Sequence, residues 1–174
     1  VGEVLQLNRR DRQQPETIAL ADFLRNLVDE IVQAENIPPG GVQLAIPEEL
    51  VVIFDRGHFN QILWNLVRNA WQHCQKKEAS VRIAARAGYM GDAVIFELAD
   101  DGPGIPAELR GQIFEPFFTT RPGGTGLGLY IARELADANG ATLELLPKSP
   151  GAHFRMTLKR ASAAASAPAE QPEA

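Results

Sequence analysis

Two asparagines four residues apart are the first residues of this sequence whose type and spacing could do chemistry. They close the segment Asn65-Leu66-Val67-Arg68-Asn69. In a helix, positions i and i+4 share one face. Asparagine is a mediocre helix former, so a pair on one face of an otherwise apolar stretch asks for a reason. A carboxamide oxygen can ligate Mg²⁺ without adding charge, and Mg²⁺ commonly pairs with phosphate oxygens. Two exposed polar residues, or a buried hydrogen-bonded pair, are the plain alternatives.

Three further segments carry signals of the same modest strength. Asp100-Asp101-Gly102-Pro103-Gly104-Ile105 follows directly on a strand-like run. Glycines after a strand end let the backbone come close to a ligand. A carboxylate there can accept a hydrogen bond from an adenine exocyclic amine, whereas a guanine would oppose it with a second acceptor. Leaving a buried polar partner unpaired makes such discrimination large. An ordinary Asp-Gly turn is the alternative. Gly123-Gly124-Thr125-Gly126-Leu127-Gly128-Leu129 opens a helix. A helix N-terminus offers free N–H groups and a positive dipole end, and glycines let those donors reach phosphate oxygens. No Lys-Ser/Thr follows, so this is no Walker loop, and the glycine spacing is wrong for a dinucleotide fingerprint. A flexible linker would not lead straight into the amphipathic Leu129–Leu135. Ile113–Arg121 places three phenylalanines beside these glycines, which suggests a lid that packs on the core when closed. Arg121 could meet a phosphate with a charge-assisted bond of about 1.5–3 kcal/mol, or be a solvated arginine on a core-packing loop.

Elements must hold these segments together. Leu20, Phe23, Leu24, Leu27, Val28, Ile31 and Val32 repeat at helical spacing and predict a helix ending near Glu35. Asp55–Cys74 is predicted as a second helix, with Phe59, Ile62, Leu63, Leu66, Val67 and Ala70 facing the core, and Leu127–Ala138 as a third, capped by Gly140. Strands are predicted at Thr17–Leu20, Val42–Ile46, Leu50–Phe54, Val81–Ala87, Ala93–Ala99, Thr142–Leu146 and His153–Leu158. The fold class expected is α+β: a two-layer α/β sandwich with a mixed, mostly antiparallel sheet and three helices on one face. Val1–Arg12 reads as the last turns of a helix ended by Pro15, which makes 1–14 a linker, 15–160 the domain and 161–174 a disordered tail.

Composition bounds the rest. The chain has 174 residues, 45% hydrophobic, which suffices for one core. A net charge of -5 makes it a poor candidate for coating nucleic acid or an anionic membrane. Its single cysteine, Cys74, forbids an intrachain disulfide and a cysteine-based zinc site. No apolar run is long enough to span a bilayer and there is no signal-peptide pattern. The domain is therefore expected in the cytoplasm, with any inner-membrane anchor elsewhere in the parent. The start at Val1 rather than Met is expected of a fragment.

Taken together, the four segments resemble the catalytic domain of sensor histidine kinases, within the larger group of gyrase B, Hsp90 and MutL. Asn65–Asn69 is similar to that family's N box, Asp100–Gly104 to its first glycine box, Phe114–Phe118 to its phenylalanine box and Gly124–Gly128 to its second glycine box. The resemblance covers about residues 20 to 160 and is nearest in style to the nitrogen-regulation and type IV pilus sensor kinases. It implies a Bergerat-type fold that binds ATP and Mg²⁺. Asn69 would ligate Mg²⁺, and Asp100 would hold the adenine amine. Gly102 and Gly104 would let the lid approach. Gly124, Gly126 and Gly128, with Thr125 and Leu127, would surround the phosphates. Arg121, beside Thr120, would meet the terminal phosphate, so Asn69 and Arg121 are the implied catalytic pair and Asn65 completes the N box. Two positions depart from the pattern: Gln72 stands where many members carry a phosphate-binding lysine, and His73 where an aromatic hydroxyl residue is common. His73 can still donate a hydrogen bond.

The ATP-hydrolysing relatives carry a glutamate where Asn65 stands. An amide cannot act as a base, so the resemblance favours phosphoryl transfer over hydrolysis. The family's acceptor histidine is usually followed by an acidic residue. His58, His73 and His153 are followed by Phe, Cys and Phe, and are read as structural. The implied partners are the chain's own dimerisation domain carrying the acceptor histidine, and a response-regulator receiver domain. The fragment itself is expected to be a monomer and the intact protein a homodimer. An ATP-driven clamp of the same fold, and a degenerate nucleotide-binding module, are the rival readings.

Overall fold

The computed structural model describes residues 13–147 and 150–162. The expected helix tail at Val1–Arg12 and residues 163–174 of the expected disordered tail lie outside the described residues. β1 (Pro15–Ala19) runs directly into α1 (Leu20–Ala34). All seven residues Leu20, Ala21, Phe23, Leu24, Leu27, Val28 and Ile31 of α1 are buried. The helix stops at Asn36, whose φ is +52°. The Asn36 N–H donates to Gln33 O (3.4 Å) and the Ile37 N–H to Val32 O (2.9 Å), which closes the last carbonyls in a Schellman arrangement.

Then follow β2 (Val42–Ala45), β3 (Val51–Asp55), α2 (Arg56–His73), β4 (Val81–Ala87), β5 (Ala93–Asp100), α3 (Gly128–Ala138), β6 (Thr142–Leu145) and β7 (His153–Lys159). The main sheet has the order β2-β4-β5-β7-β6. β2 is parallel to β4 and the other neighbours are antiparallel. β1 and β3 form a separate antiparallel pair. The sheet hides one face only. Val94, Phe96, Leu98 and Asp100 alternate on the buried face of β5, beside Phe154, Met156 and Leu158 of β7. The opposite face carries Glu97, which accepts from Arg155 Nε at 2.8 Å. One face against a core and one polar is the usual economy of an antiparallel sheet.

The three helices cover the apolar face, as expected. Phe59 of α2 lies at its centre, with ring centroids 5.0 Å from Phe23, 5.1 Å from Phe54 and 6.1 Å from Phe96. It thereby joins α1, β3 and β5 to α2. Element ends differ slightly from the sequence expectation. Pro15 is the first residue of β1, a place where a strand tolerates proline, and Leu20 already belongs to α1. Leu127 caps α3 from outside. Ala161 is buried and its N–H donates to Val51 O at 2.9 Å, so ordered packing reaches slightly past residue 160. No helix among the described residues is long and apolar enough to cross a membrane.

A polar clamp fixes α3 beside α2. Asp55 caps α2 by accepting from the His58 N–H at 3.0 Å. The Asp55 N–H in turn donates to Asn139 Oδ1 at 2.9 Å. Asn139 Nδ2 donates to Leu135 O (2.7 Å) and lies 2.9 Å from Nδ1 of the buried His58. Gly140, at φ +68°, ends α3 with its N–H on Asp137 O, while the Ala141 N–H reaches Ala136 O, both at 3.0 Å. The start of α2 thus meets the end of α3, and the helices run antiparallel. Asn139→Ala should strand the Asp55 N–H and the His58 ring, each unsatisfied group costing about 1–3 kcal/mol. The expected fall in Tm is about 4 °C or more, at roughly 2–4 °C per kcal/mol for a domain of this size, read by calorimetry. A fall below about 1 °C would show that the clamp holds nothing.

Candidate functional site

Where α2, the start of α3 and the segment between β5 and α3 meet, they enclose a cavity of about 540 Å³. The face of α2 that lines it is set by helix geometry. At about 100° per residue, positions 65, 68, 69, 72 and 73 fall within one sector of about 140°, next to the sector that packs the core. Asn65, Arg68, Asn69, Gln72 and His73 all line the cavity. Gly128, the first residue of α3, faces Asn65: a Cβ built on it would stand 3.6 Å from Asn65 Oδ1. The antiparallel arrangement of α2 and α3 therefore brings the open end of α3 to the N-terminal part of this face.

That helix end is undersatisfied. The cap residue Leu127 has no side-chain hydrogen bond to offer. The first helical N–H returned to the chain is that of Ile131, on Leu127 O at 2.8 Å. The preceding donors are left for an anion, where the dipole also favours negative charge. The Leu127 N–H itself reaches Thr125 Oγ1 at 3.4 Å.

At the other end stands Asp100, the last residue of β5. It lines the cavity and is only 2% exposed. Oδ1 accepts from the Gly102 N–H at 2.8 Å and from the Ala152 N–H at 3.2 Å. Oδ2 accepts no hydrogen bond among the described residues. Burial pushes the Asp100 carboxyl up from its usual range, against the two N–H groups and the nearby His73, which pull it down. The next residue shows the opposite balance. Asp101 accepts from the Gln75 N–H (2.9 Å) and from Ser80 Oγ (3.0 Å), and these bonds hold its carboxyl below the usual range. It ties the strand end to the loop after α2.

Residues 101–127 contain turns but no helix or strand. Ile113 is buried, and Phe114 packs edge-on against Phe154 at 6.2 Å with the Arg133 guanidinium 4.8 Å above its ring. Phe118, Thr119, Thr120, Arg121, Gly123, Gly124, Thr125 and Gly126 line the cavity. Phe117 is 75% exposed and has φ +65°. Its backbone lies against Gly126, itself at φ +69°, where a Cβ would collide with the Phe117 carbonyl. So of the three lid phenylalanines one is an anchor, one lines the cavity and one faces solvent.

The structure brings eleven of the expected site residues to the cavity lining: Asn65, Asn69, His73, Asp100, Gly104, Thr120, Arg121, Gly124, Thr125, Gly126 and Gly128. Gly102 and Leu127 stand just outside it. Gly102 passes under the His73 carbonyl, and Leu127 contributes as the helix cap. Arg68 and Ala152 line the cavity without having been singled out. Arg68 lies inside the N-box motif, one residue before Asn69, and helix geometry alone could have found it. Ala152 acts through its backbone, so its side chain gives no signal. The preceding Gly151 does give one: any Cβ there would strike the Asp100 carbonyl. Among the histidines, His58 is held in the clamp and His153 Nε2 lies 3.7 Å from Glu97. Only His73 reaches the site.

Residues 54–162 match the family described as histidine kinase-, DNA gyrase B-, and HSP90-like ATPase. The sensor protein kinase PilS of Pseudomonas aeruginosa is 35% identical over 161 residues, 90% of this chain and 30% of that protein. The nitrogen regulation protein NtrY of Azorhizobium caulinodans is 35% identical over 120 residues, 66% of this chain and 16% of that protein. The chain thus spans less than a third of the length of these relatives. The solved catalytic domain of histidine kinase ThkA, a nucleotide-free form, superposes with a TM-score of 0.68 at 30% identity, covering 85% of this chain and 97% of that one. Full-length ShkA, solved in complex with AMPPNP, gives 0.74 at 25% identity over 93% of this chain and 36% of its own.

The raised Asp100 carboxyl has a consequence for stability. A folded pKa above the unfolded value means that the fold disfavours the charged form. The contribution of Asp100 to stability is then greatest below the ordinary value of 3.8 and is lost as pH rises through the folded pKa. Asp100→Asn keeps an oxygen for the two N–H groups and removes the buried charge. The variant should unfold no lower than the parent at pH 7.5, with the gap narrowing toward pH 4, as read by thermal unfolding at both. A variant clearly less stable at pH 7.5 would show that the charged hydrogen bonds outweigh the burial.

Proposed function

Because the chain belongs to the histidine kinase-, DNA gyrase B-, and HSP90-like ATPase family, we propose that it binds Mg-ATP in this cavity and donates the terminal phosphoryl group to a histidine on a separate dimerisation hairpin. Asp100 is the observation that carries this reading. It is a buried carboxylate at the cavity wall with both its bonds on one oxygen. The remaining oxygen suits the exocyclic amine of adenine, and opposes the carbonyl oxygen that guanine would present.

The rest of the lining fits the remainder of the nucleotide. His73 and Asn65 are eight residues apart on one helix face, about 12 Å along the axis, so a base near Asp100 leaves the phosphates near Asn65 and Gly128. There the open N–H groups of α3 and the glycines Gly124, Gly126 and Gly128 offer donors, and Arg121 with Thr120 covers the terminal phosphate from the lid. Among the described residues no group of three His, Cys, Asp or Glu could hold a metal. A carboxamide such as Asn69 is the donor that fits Mg²⁺ held chiefly by phosphate oxygens and water. Asn69 would hold the ion from α2, and the chemistry Mg²⁺ would supply there is neutralisation of phosphate charge.

The chain's own residues would supply positioning and charge neutralisation. In the transfer, the bond from the terminal phosphorus to the bridging oxygen breaks, a bond to the acceptor imidazole nitrogen forms, and ADP leaves. The nucleophile would come from the dimerisation hairpin of a homodimeric sensor kinase, and the next acceptor would be an aspartate of a response-regulator receiver domain. An ATP-driven clamp is disfavoured by Asn65, since an amide cannot activate water.

Calorimetric titration with ATP and Mg²⁺ tests the binding step. An affinity between about 1 µM and 1 mM, roughly -8 to -4 kcal/mol, is expected, with GTP rejected and binding lost in Asp100→Asn. Heat-free titrations of the folded chain would exclude the reading. The same chain incubated with labelled ATP should acquire no acid-labile phosphate, because none of His58, His73 and His153 is followed by an acidic residue; stable self-labelling would place an acceptor within it.

A further inference from the structure

Arg68 is the one cation that α2 brings to the cavity, and the structure shows it already occupied. Its Nε lies 3.0 Å from Glu35 Oε1, with side chains 60% and 20% exposed. Glu35 caps the C-terminal end of α1, where the helix dipole already places negative charge. An added carboxylate there is unfavourable unless a cation answers it. Arg68 answers it from the neighbouring helix while its body lines the cavity.

Gln72 is one turn further along the same face, and it is neutral. On α2 the cavity therefore carries Arg68 as its fixed positive charge, and the lid carries Arg121. A triphosphate brings more negative charge than a single magnesium ion withdraws. Glu35 is largely shielded, but the Arg68 side chain is itself 60% exposed, so its guanidinium stays open to a second acceptor, and a pair open to water on one side gains little. A phosphate is the stronger acceptor, since arginine's fork matches it with two parallel bonds.

Building on the reading of the cavity as an ATP site, we infer that Arg68 is a phosphate-binding residue held in reserve by Glu35. It takes the place of a cation at Gln72, and Glu35 competes with the nucleotide for it. On binding, the guanidinium exchanges one carboxylate for the phosphate oxygens. Glu35 then becomes the element that weakens nucleotide affinity, and any change that draws Glu35 away from α2 strengthens it.

Four chains are titrated with ATP in Mg²⁺ and, separately, with adenosine: the parent, Arg68→Ala, Arg68→Lys and Glu35→Gln. The expected result is a loss of about 10-fold or more for ATP in Arg68→Ala, with adenosine changed less than about 2-fold. Arg68→Lys should recover part of the loss, and Glu35→Gln should bind ATP about 3-fold or more tighter than the parent. Equal affinity of parent and Arg68→Ala for ATP would overturn the inference and leave the ATP site standing. So would equal losses for ATP and adenosine in Arg68→Ala, which mark a structural role. A parent chain that binds neither ligand would remove both the inference and the reading beneath it.

Discussion

Helix α2 must satisfy two adjoining faces at once, and the site depends on that constraint. Phe59, Ile62, Leu63, Leu66, Val67 and Ala70 are all essentially sealed from solvent. Each large side chain so buried contributes about 1.5–3 kcal/mol. Turning the helix by one residue, about 100°, would drive Asn69 to the place of Ala70 in the core and Val67 out to the exposed place of Arg68. Burial therefore fixes the rotation of the helix, and the rotation aims Asn65, Asn69 and His73 at the cavity. A substitution that loosens Phe59 from Phe23, Phe54 and Phe96 acts on the site through this aim, without touching it.

The two ends of α3 are treated differently, and the difference has a physical meaning. Its C-terminal carbonyls are closed by Gly140 and Ala141, and Asn139 ties that end to the cap of α2. Its N-terminus has no capping side chain, although a Ser, Thr, Asp or Asn there would typically add about 1 kcal/mol. A fold that closes one end so thoroughly and leaves the other open tolerates a local instability where donors are needed. Local rules broken without structural compensation tend to mark functional sites.

Much of this was legible in the sequence because it rests on period. The strand runs Val81–Ala87 and Ala93–Ala99 are short apolar-rich segments around the Gly88–Asp92 turn, and the apolar positions of α1 and α2 recur at helical spacing. The same periodicity made Asn65 and Asn69 share a face, and Asp100 stood out as a strand-end carboxylate before glycines. What stayed hidden depends on distance along the chain or on the backbone. The Asn139 clamp joins residues more than 80 positions apart, and nothing local distinguishes that asparagine from a helix stop. The Ala152 N–H on Asp100 is a main-chain group. Gly102 was expected to face the ligand because glycine permits close approach, but the approach it permits is to the His73 carbonyl.

The placement of charge around the cavity bears on what chemistry it can run. Asp100 is the sole carboxylate among the lining residues, and burial together with two N–H donors fixes it at the end of β5. His73, the other group able to take a proton, lies near it, about 12 Å along α2 from Asn65. The end that faces the open helix terminus therefore holds amides, glycine backbone and threonine hydroxyls, with arginines at its edges. Amides and N–H groups orient and neutralise, but they cannot deprotonate water. A chain that carries a net charge of -5 and still keeps carboxylates away from this end separates two functions in space. Acidic groups stay on the surface and, as Asp100, at one end of the cavity, and the other end is left with uncharged donors and the open N-terminus of α3, which suit an anion.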